Sequence, residues 1–197
     1  MNHVLVLGVG GNVSQGIIKA LRKINIDMRL IGACVSINSA GLYMCDEAYL
    51  SPYAYEDNFI DWLIEICNKH QVDIIFTGVE ENIQRIAKDM DYFKARTKAV
   101  FVSSSYEQLL IGQDKFLTAQ WLRNNGCNYP ESCKLGLQPE TADFAKRLGF
   151  PLIAKPRNGK SAQGIHMINN QQELNIVSNL DNYVLQEYIG DGDSEYT

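Results

Sequence analysis

Pro151-Leu152-Ile153-Ala154-Lys155-Pro156-Arg157-Asn158-Gly159-Lys160-Ser161-Ala162-Gln163-Gly164 is the stretch that decides how this chain is read. Leu152 to Ala154 is a short apolar run, and it ends in a lysine. A polar turn of glycine and small side chains follows, and Ile165 to Ile168 returns as a second apolar run. The pattern predicts strand, glycine-rich turn, strand. A lysine closing a buried strand is costly unless an anion pairs with it. A loop from Arg157 to Gly164 that carries Arg157 and Lys160 can hold phosphate oxygens through its backbone N–H groups. An ordinary solvent-exposed hairpin is the competing reading of the same residues.

Working outward, Asn170 caps a short helix with Glu173 three residues on, and Asn182 to Tyr188 reads as a closing strand. Upstream, Thr141 to Leu148 reads as a helix ended by Gly149. Asp114-Lys115 opens another, ended by Gly126. Ser104 and Glu107 stand at capping-box spacing before Leu109, Leu110 and Ile111. The first part of the chain differs in style. Val4–Leu7, Leu30–Ala33, Tyr49–Leu50, Asp73–Thr77 and Ala99–Val102 read as strands, separated by amphipathic helices such as Phe59, Ile60, Leu63, Ile64 and Cys67. Strands alternating with helices predict a doubly wound parallel sheet. The boundary is set near residue 112, giving domains 1–112 and 113–197.

Two motifs of the first part can carry chemistry. Gly8-Val9-Gly10-Gly11-Asn12-Val13 lies between a strand and a helix, where glycines allow a tight turn and the helix start can hold an anion. A dinucleotide site asks for a third glycine where Val13 stands, and for an acid near Cys34 to Ser36, where none is found. The turn is therefore read as part of the fold, with Gly10, Gly11 and Asn12 as candidate substrate-lining residues. An NAD(P)-dependent oxidoreductase is the weaker enzyme alternative. Thr77-Gly78-Val79-Glu80-Glu81-Asn82 ends another strand. There Glu80 and Glu81 either meet a substrate amine or simply favour a first helical turn through its dipole.

Composition excludes several classes. The chain has 197 residues, 46% hydrophobic and 21% charged, with a net charge of −5. That is an ordinary soluble composition without a basic run for nucleic acid or anionic membrane. No apolar stretch reaches membrane-spanning length. The N-terminus lacks a basic segment and its apolar run stops at Gly8, so no signal peptide and a cytoplasmic location are expected. Cys34, Cys45, Cys67, Cys127 and Cys133 form no metal-type spacing, and His3, His70 and His166 are scattered.

Taken in order, Asp114-Lys115, Pro151–Pro156, Arg157–Gly164, Val184-Leu185-Gln186-Glu187-Tyr188-Ile189 and Glu195-Tyr196-Thr197 resemble the ATP-grasp superfamily, and the carbamoyl-phosphate synthase large-subunit type in particular. The resemblance implies a Rossmann-like pre-ATP-grasp domain followed by an incomplete α+β ATP-grasp lobe. It implies an ATP-dependent carboxylate–amine ligase working through an acyl phosphate. Lys115 and Lys155 would contact phosphates, with Gly159, Ser161 and Gly164 in the covering loop. Glu187, Tyr188 and Ile189 would meet adenine, Gln186 or Glu187 its exocyclic amine, and Glu195 the ribose. ATP and Mg²⁺ are the implied cofactors, the metal ligands being expected beyond Thr197. On this reading the chain is part of a longer gene product, inactive as a ligase by itself. Its partners would be ATP, a small carboxylate or amine substrate, and in one version a second copy as a homodimer. A nucleotide-binding regulatory module is the non-enzyme alternative.

Overall fold

The computed structural model describes residues 1–137, 139–159 and 163–190. Two compact units divide the chain, Met1–Tyr106 and Glu107–Thr197.

The first unit is a parallel α/β sheet. Its elements in order are β1 (Asn2–Leu7), α1 (Asn12–Leu21), β2 (Met28–Cys34), β3 (Glu47–Leu50), α2 (Phe59–His70), β4 (Ile74–Thr77), α3 (Glu80–Lys88), α4 (Met90–Lys94) and β5 (Val100–Phe101). The strand order is β3-β2-β1-β4-β5, and every neighbouring pair is parallel. Side chains alternate across a strand, so β1 feeds two cores. Leu5 and Leu7 join Ile31, Ile75, Phe59 and Leu63 on one face. Val4 and Val6 join Leu30 and Ile18 on the other. Burial on both faces explains why these strands read as continuous apolar runs. The doubly wound expectation holds. Two successive helices, α3 and α4, join β4 to β5, and a 3₁₀ turn occupies Ala40–Met44.

The second unit contains α5 (Tyr106–Gln113), α6 (Lys115–Asn124), β6 (Ser132–Lys134), α7 (Pro139–Leu148), β7 (Leu152–Pro156), β8 (His166–Ile168), α8 (Gln171–Val177) and β9 (Tyr183–Glu187). Because α5 begins at Tyr106, Ser105 rather than Ser104 precedes it. The sheet order is β6-β9-β7-β8, antiparallel throughout. Leu152, Ala154, Ile168 and Leu185 pack under Phe144, Ala145, Leu174 and Val177 of α7 and α8. Asp114 caps α6, accepting from the N–H groups of Phe116 (2.9 Å) and Leu117 (3.2 Å). Asn170 caps α8 through the Glu173 N–H at 3.0 Å, and the Glu173 carboxylate reaches back to the Asn169 N–H at 2.8 Å. Both caps stand where the sequence puts them.

All five cysteines are free thiols. Among the described residues, no helix is long and apolar enough to cross a membrane.

Candidate functional site

In the second unit, alternation along β7 and β9 decides what the sheet offers on each side. Leu152, Ala154 and Leu185 point into the core under α7 and α8. Ile153, Lys155, Val184 and Gln186 therefore point to the opposite side. Lys155 is half-buried there. Burial, with a further push from the nearby Lys115 charge, holds its ammonium below the ordinary lysine range. Neither lysine has a carboxylate partner among the described residues. Lys115 is the first residue of α6, and its Nζ leans on the carbonyl oxygens of Gly159 (3.4 Å) and Arg157 (3.5 Å). The two lysines and Gly159 are thus brought together, although 40 positions separate the lysines in sequence.

Arg157 is not part of that cationic pair. Its Nε donates to Asp114 Oδ1 at 3.1 Å and its Nη2 to Asp114 Oδ2. Burial alone would raise the Asp114 carboxyl, but the Arg157 hydrogen bonds and the Leu117 and Phe116 N–H groups outweigh it, and the pKa is held below the usual carboxylate range. Arg157 is thereby neutralised, which corrects the expectation that its charge joins the loop in facing phosphates. Its partner lies 43 positions upstream, and no local signal in the sequence identifies it.

Gly164 adopts φ +70, and a Cβ there would lie 2.6 Å from the Tyr183 hydroxyl. A side chain at that corner of the hairpin is excluded on both counts. At the end of β9, Glu187 is occupied: its N–H donates to Glu131 O at 2.8 Å and its carboxylate accepts from the Glu131 N–H at 3.2 Å. Gln186 is buried and donates to Ser132 Oγ at 2.7 Å. Both side chains expected to meet an exocyclic amine are therefore engaged with Glu131 and Ser132 at the start of β6, a strand whose residues Ser132, Cys133 and Lys134 gave no strand signal in the sequence. Tyr188 follows β9, and Ile189 is 70% exposed, free to pack on a ligand. Ser161 and Glu195 lie outside the described residues.

In the first unit, β1 and β4 are neighbours with Leu7 opposite Thr77, so their carboxyl ends bring the two motifs together. Gly8 has φ +64, and a Cβ on it would lie 2.2 Å from Val79 Cγ2. The glycine turn is therefore required by the fold itself. Gly10, Gly11 and Asn12 are exposed at the start of α1, while Glu80 and Glu81 begin α3. Asn82 Nδ2 donates to Thr77 Oγ1 at 3.4 Å.

Two residues here escaped the sequence reading. Ser14 is fully buried, its hydroxyl donating to Leu7 O at 2.8 Å and accepting from the Gly78 N–H at 2.9 Å. Cys34 ends β2 and accepts from Ser39 Oγ at 2.9 Å. Burial raises that thiol, but the Ser36 N–H, the Ser39 hydroxyl and the N–H groups of Gly10 and Val35 outweigh it and hold it below its ordinary range. Among the described residues, no group of three or more His, Cys, Asp and Glu side chains converges to hold a metal ion.

Comparison with known proteins agrees with this division. Residues 4–101 match the PylC-like N-terminal domain, and residues 112–194 match an ATP-grasp domain. The carbamoyl phosphate synthase large chain of Clostridium beijerinckii is 23% identical over 181 residues, covering 87% of this chain and 16% of that protein. The crystal structure of N5-carboxyaminoimidazole synthetase from Staphylococcus aureus complexed with ADP superposes with a TM-score of 0.72 at 16% identity, over 95% of this chain and 48% of that one. That of L-amino acid ligase from Bacillus licheniformis gives 0.65 at 17% identity, over 96% and 44%. The chain thus spans about one sixth of the curated relative and under half of each solved structure.

Proposed function

We infer that this chain, a member of the ATP-grasp superfamily, binds ATP in its second unit and serves an ATP-dependent ligation of a carboxylate to a nitrogen nucleophile. One observation supports it above the others. Lys115 and Lys155 are two neighbouring ammonium groups without a carboxylate partner among the described residues, while the one guanidinium beside them is neutralised. Two like charges held on a half-buried face favour an anion of multiple charge, and a triphosphate supplies it.

In the proposed reaction a carboxylate oxygen attacks the γ-phosphorus and ADP leaves. The nucleophile then attacks the acyl carbon and phosphate leaves with the bonding pair. Lys115 and Lys155 hold phosphate oxygens and stabilise charge that builds on them. The backbone at Gly159 and Gly164, with Ser161, lies along the phosphates. Ile153 gives the same face an apolar floor, against which a purine can lie, with Tyr188 and Ile189 at its edge. Glu195 is assigned to the ribose hydroxyls. The residues described do not compose a magnesium site. Gly10, Gly11, Asn12, Glu80 and Glu81 are proposed to meet the second substrate at the carboxyl edge of the parallel sheet, where open α/β sheets bind ligands. An amine-bearing substrate suits the two glutamates. A cytoplasmic location and a homodimer belong to the same reading.

Calorimetric titration of the 197-residue chain with ATP tests the proposal. Saturable binding that Lys155→Met weakens by at least ~10-fold is expected, the loss of one charged hydrogen bond. Undetectable binding at millimolar ATP, or equal binding by Lys155→Met, refutes it.

A further inference from the structure

The two phosphate-facing lysines come from separate elements, and neither holds its place alone. α6 begins one residue after Asp114, and the Lys115 N–H donates to Arg157 O at 3.0 Å. The Arg157 N–H in turn donates to Asn182 O at 2.8 Å, ahead of β9. Asn158 Nδ2 donates to Gln113 O at 3.2 Å, and Asn182 Nδ2 to Asn158 Oδ1 at 3.2 Å. Residues 113–115, 157–159 and 182 are thus laced together, and the ion pair among them is the Asp114–Arg157 fork. Asp114 does two tasks with one carboxylate: Oδ1 caps α6 while both oxygens hold the guanidinium. The Arg157 guanidinium carbon also lies 5.5 Å from the centre of the Phe116 ring. A bidentate fork fixes direction as well as distance, which a lysine in its place does not.

We propose that Asp114 and Arg157 are positioning residues of the phosphate site: the fork fixes the start of α6 against residues 157–159 so that Lys115 meets the nucleotide, and it withholds the Arg157 charge from the phosphates. The inference rests on the nucleotide reading above, and it assigns a role to the cation nearest that site that touches no ligand. Asp114→Asn separates the two tasks, because asparagine caps a helix about as well as aspartate but carries no charge.

The experiment compares the full chain with Asp114→Asn, Arg157→Gln and the double variant. ATP affinity is measured over a range of salt, and the Lys115 amide by hydrogen exchange without nucleotide. Each single variant is expected to bind ATP roughly tenfold more weakly, and the double no more weakly than the worse single, since both break one unit. The salt dependence should flatten in Arg157→Gln as it does in Lys115→Met, because a displaced Lys115 no longer meets the anion, and Lys115→Met should cost little more in the Arg157→Gln background. The Lys115 amide should lose protection in all three fork variants. Additive losses from Arg157→Gln and Lys115→Met, or tighter ATP binding by Asp114→Asn, would make Arg157 a phosphate ligand and overturn the proposal. Unchanged Lys115 protection overturns it as well. If the wild type binds no ATP, the nucleotide reading fails by itself, and the exchange data alone then decide whether the fork positions Lys115. Should Arg157→Gln not fold, Arg157→Lys replaces it, and full ATP affinity in that variant overturns the need for a fork.

Discussion

Lys155 stands close enough to Lys115 for the second charge to depress the pKa of the first, on a face where burial already depresses it. A site that holds two cations ready for an absent anion is held at a cost to the fold. Lys155→Met should therefore lose ATP and gain stability together. A rise in melting temperature of roughly 2–4 °C at neutral pH is expected, equivalent to about 1 kcal/mol at this chain length. The sign with pH follows from linkage. The folded pKa lies below the unfolded value of about 10.4, so the unfolded chain binds more protons between the two, and wild-type stability rises with pH there. The gap to Lys155→Met should close as pH rises through the depressed pKa. A methionine variant less stable than wild type at pH 7 would contradict this account.

Asp114 predicts the opposite end of the pH scale. Its folded pKa is lowered, so the stability it contributes is complete above the unfolded carboxylate value of about 3.9 and is lost as pH falls through the folded one. Urea denaturation should find Asp114→Ala weaker than wild type by about 2–3 kcal/mol at pH 7, from the lost cap and the stranded guanidinium. Asp114→Asn should be intermediate, because it keeps the cap. The wild-type advantage over Asp114→Asn should shrink steadily below pH ~4. A difference that stays constant down to the acid transition would mean that the charge contributes nothing.

Ser14 offers a test of the sheet's carboxyl edge. Its buried hydroxyl joins β1 to the residue after β4 through Leu7 O and the Gly78 N–H. Ser14→Ala leaves both groups without that partner and should cost about 1–3 kcal/mol. Ser14→Thr adds a methyl group beside Gly78, where a Cβ on the glycine would already lie 2.4 Å from Val13 Cβ, so it should not restore the loss. Chemical denaturation of the two variants decides it, and a neutral Ser14→Ala would show that the bridge is dispensable.

How much of this was legible in the sequence follows from where each signal resides. β1 and the Asp114 and Asn170 caps are local patterns, and they were read from a few adjacent residues. β6 was not, because Ser132, Cys133 and Lys134 carry no periodicity, and the strand exists only through its pairing with β9 some fifty positions away. Lys155 stands out locally as a lysine closing an apolar strand and Lys115 only by resemblance, while the Asp114–Arg157 fork that separates Arg157 from them is a contact between distant residues. Ser14 and Cys34 look like ordinary small residues until the strand ends around them converge. Residues whose role depends on a non-local partner were the ones missed.

The segment that runs from β1 into α1 gives the last prediction, because two of its glycines answer to different physics. Gly8 has φ +64 and no room for a Cβ against Val79, so Gly8→Ala should destabilise the chain by more than about 1 kcal/mol. Gly16 lies inside α1 with nothing within 4 Å of a built Cβ. Gly16→Ala should therefore stabilise the chain by about 0.8 kcal/mol, the helix-propensity difference between the two residues. Val79→Ala removes the clash but not the positive φ, so it should rescue Gly8→Ala only in part. Denaturation midpoints of the four variants separate the contributions. If Gly8→Ala is tolerated, the turn is not held by packing against Val79. If Gly16→Ala destabilises, that face of α1 packs on something outside the described residues.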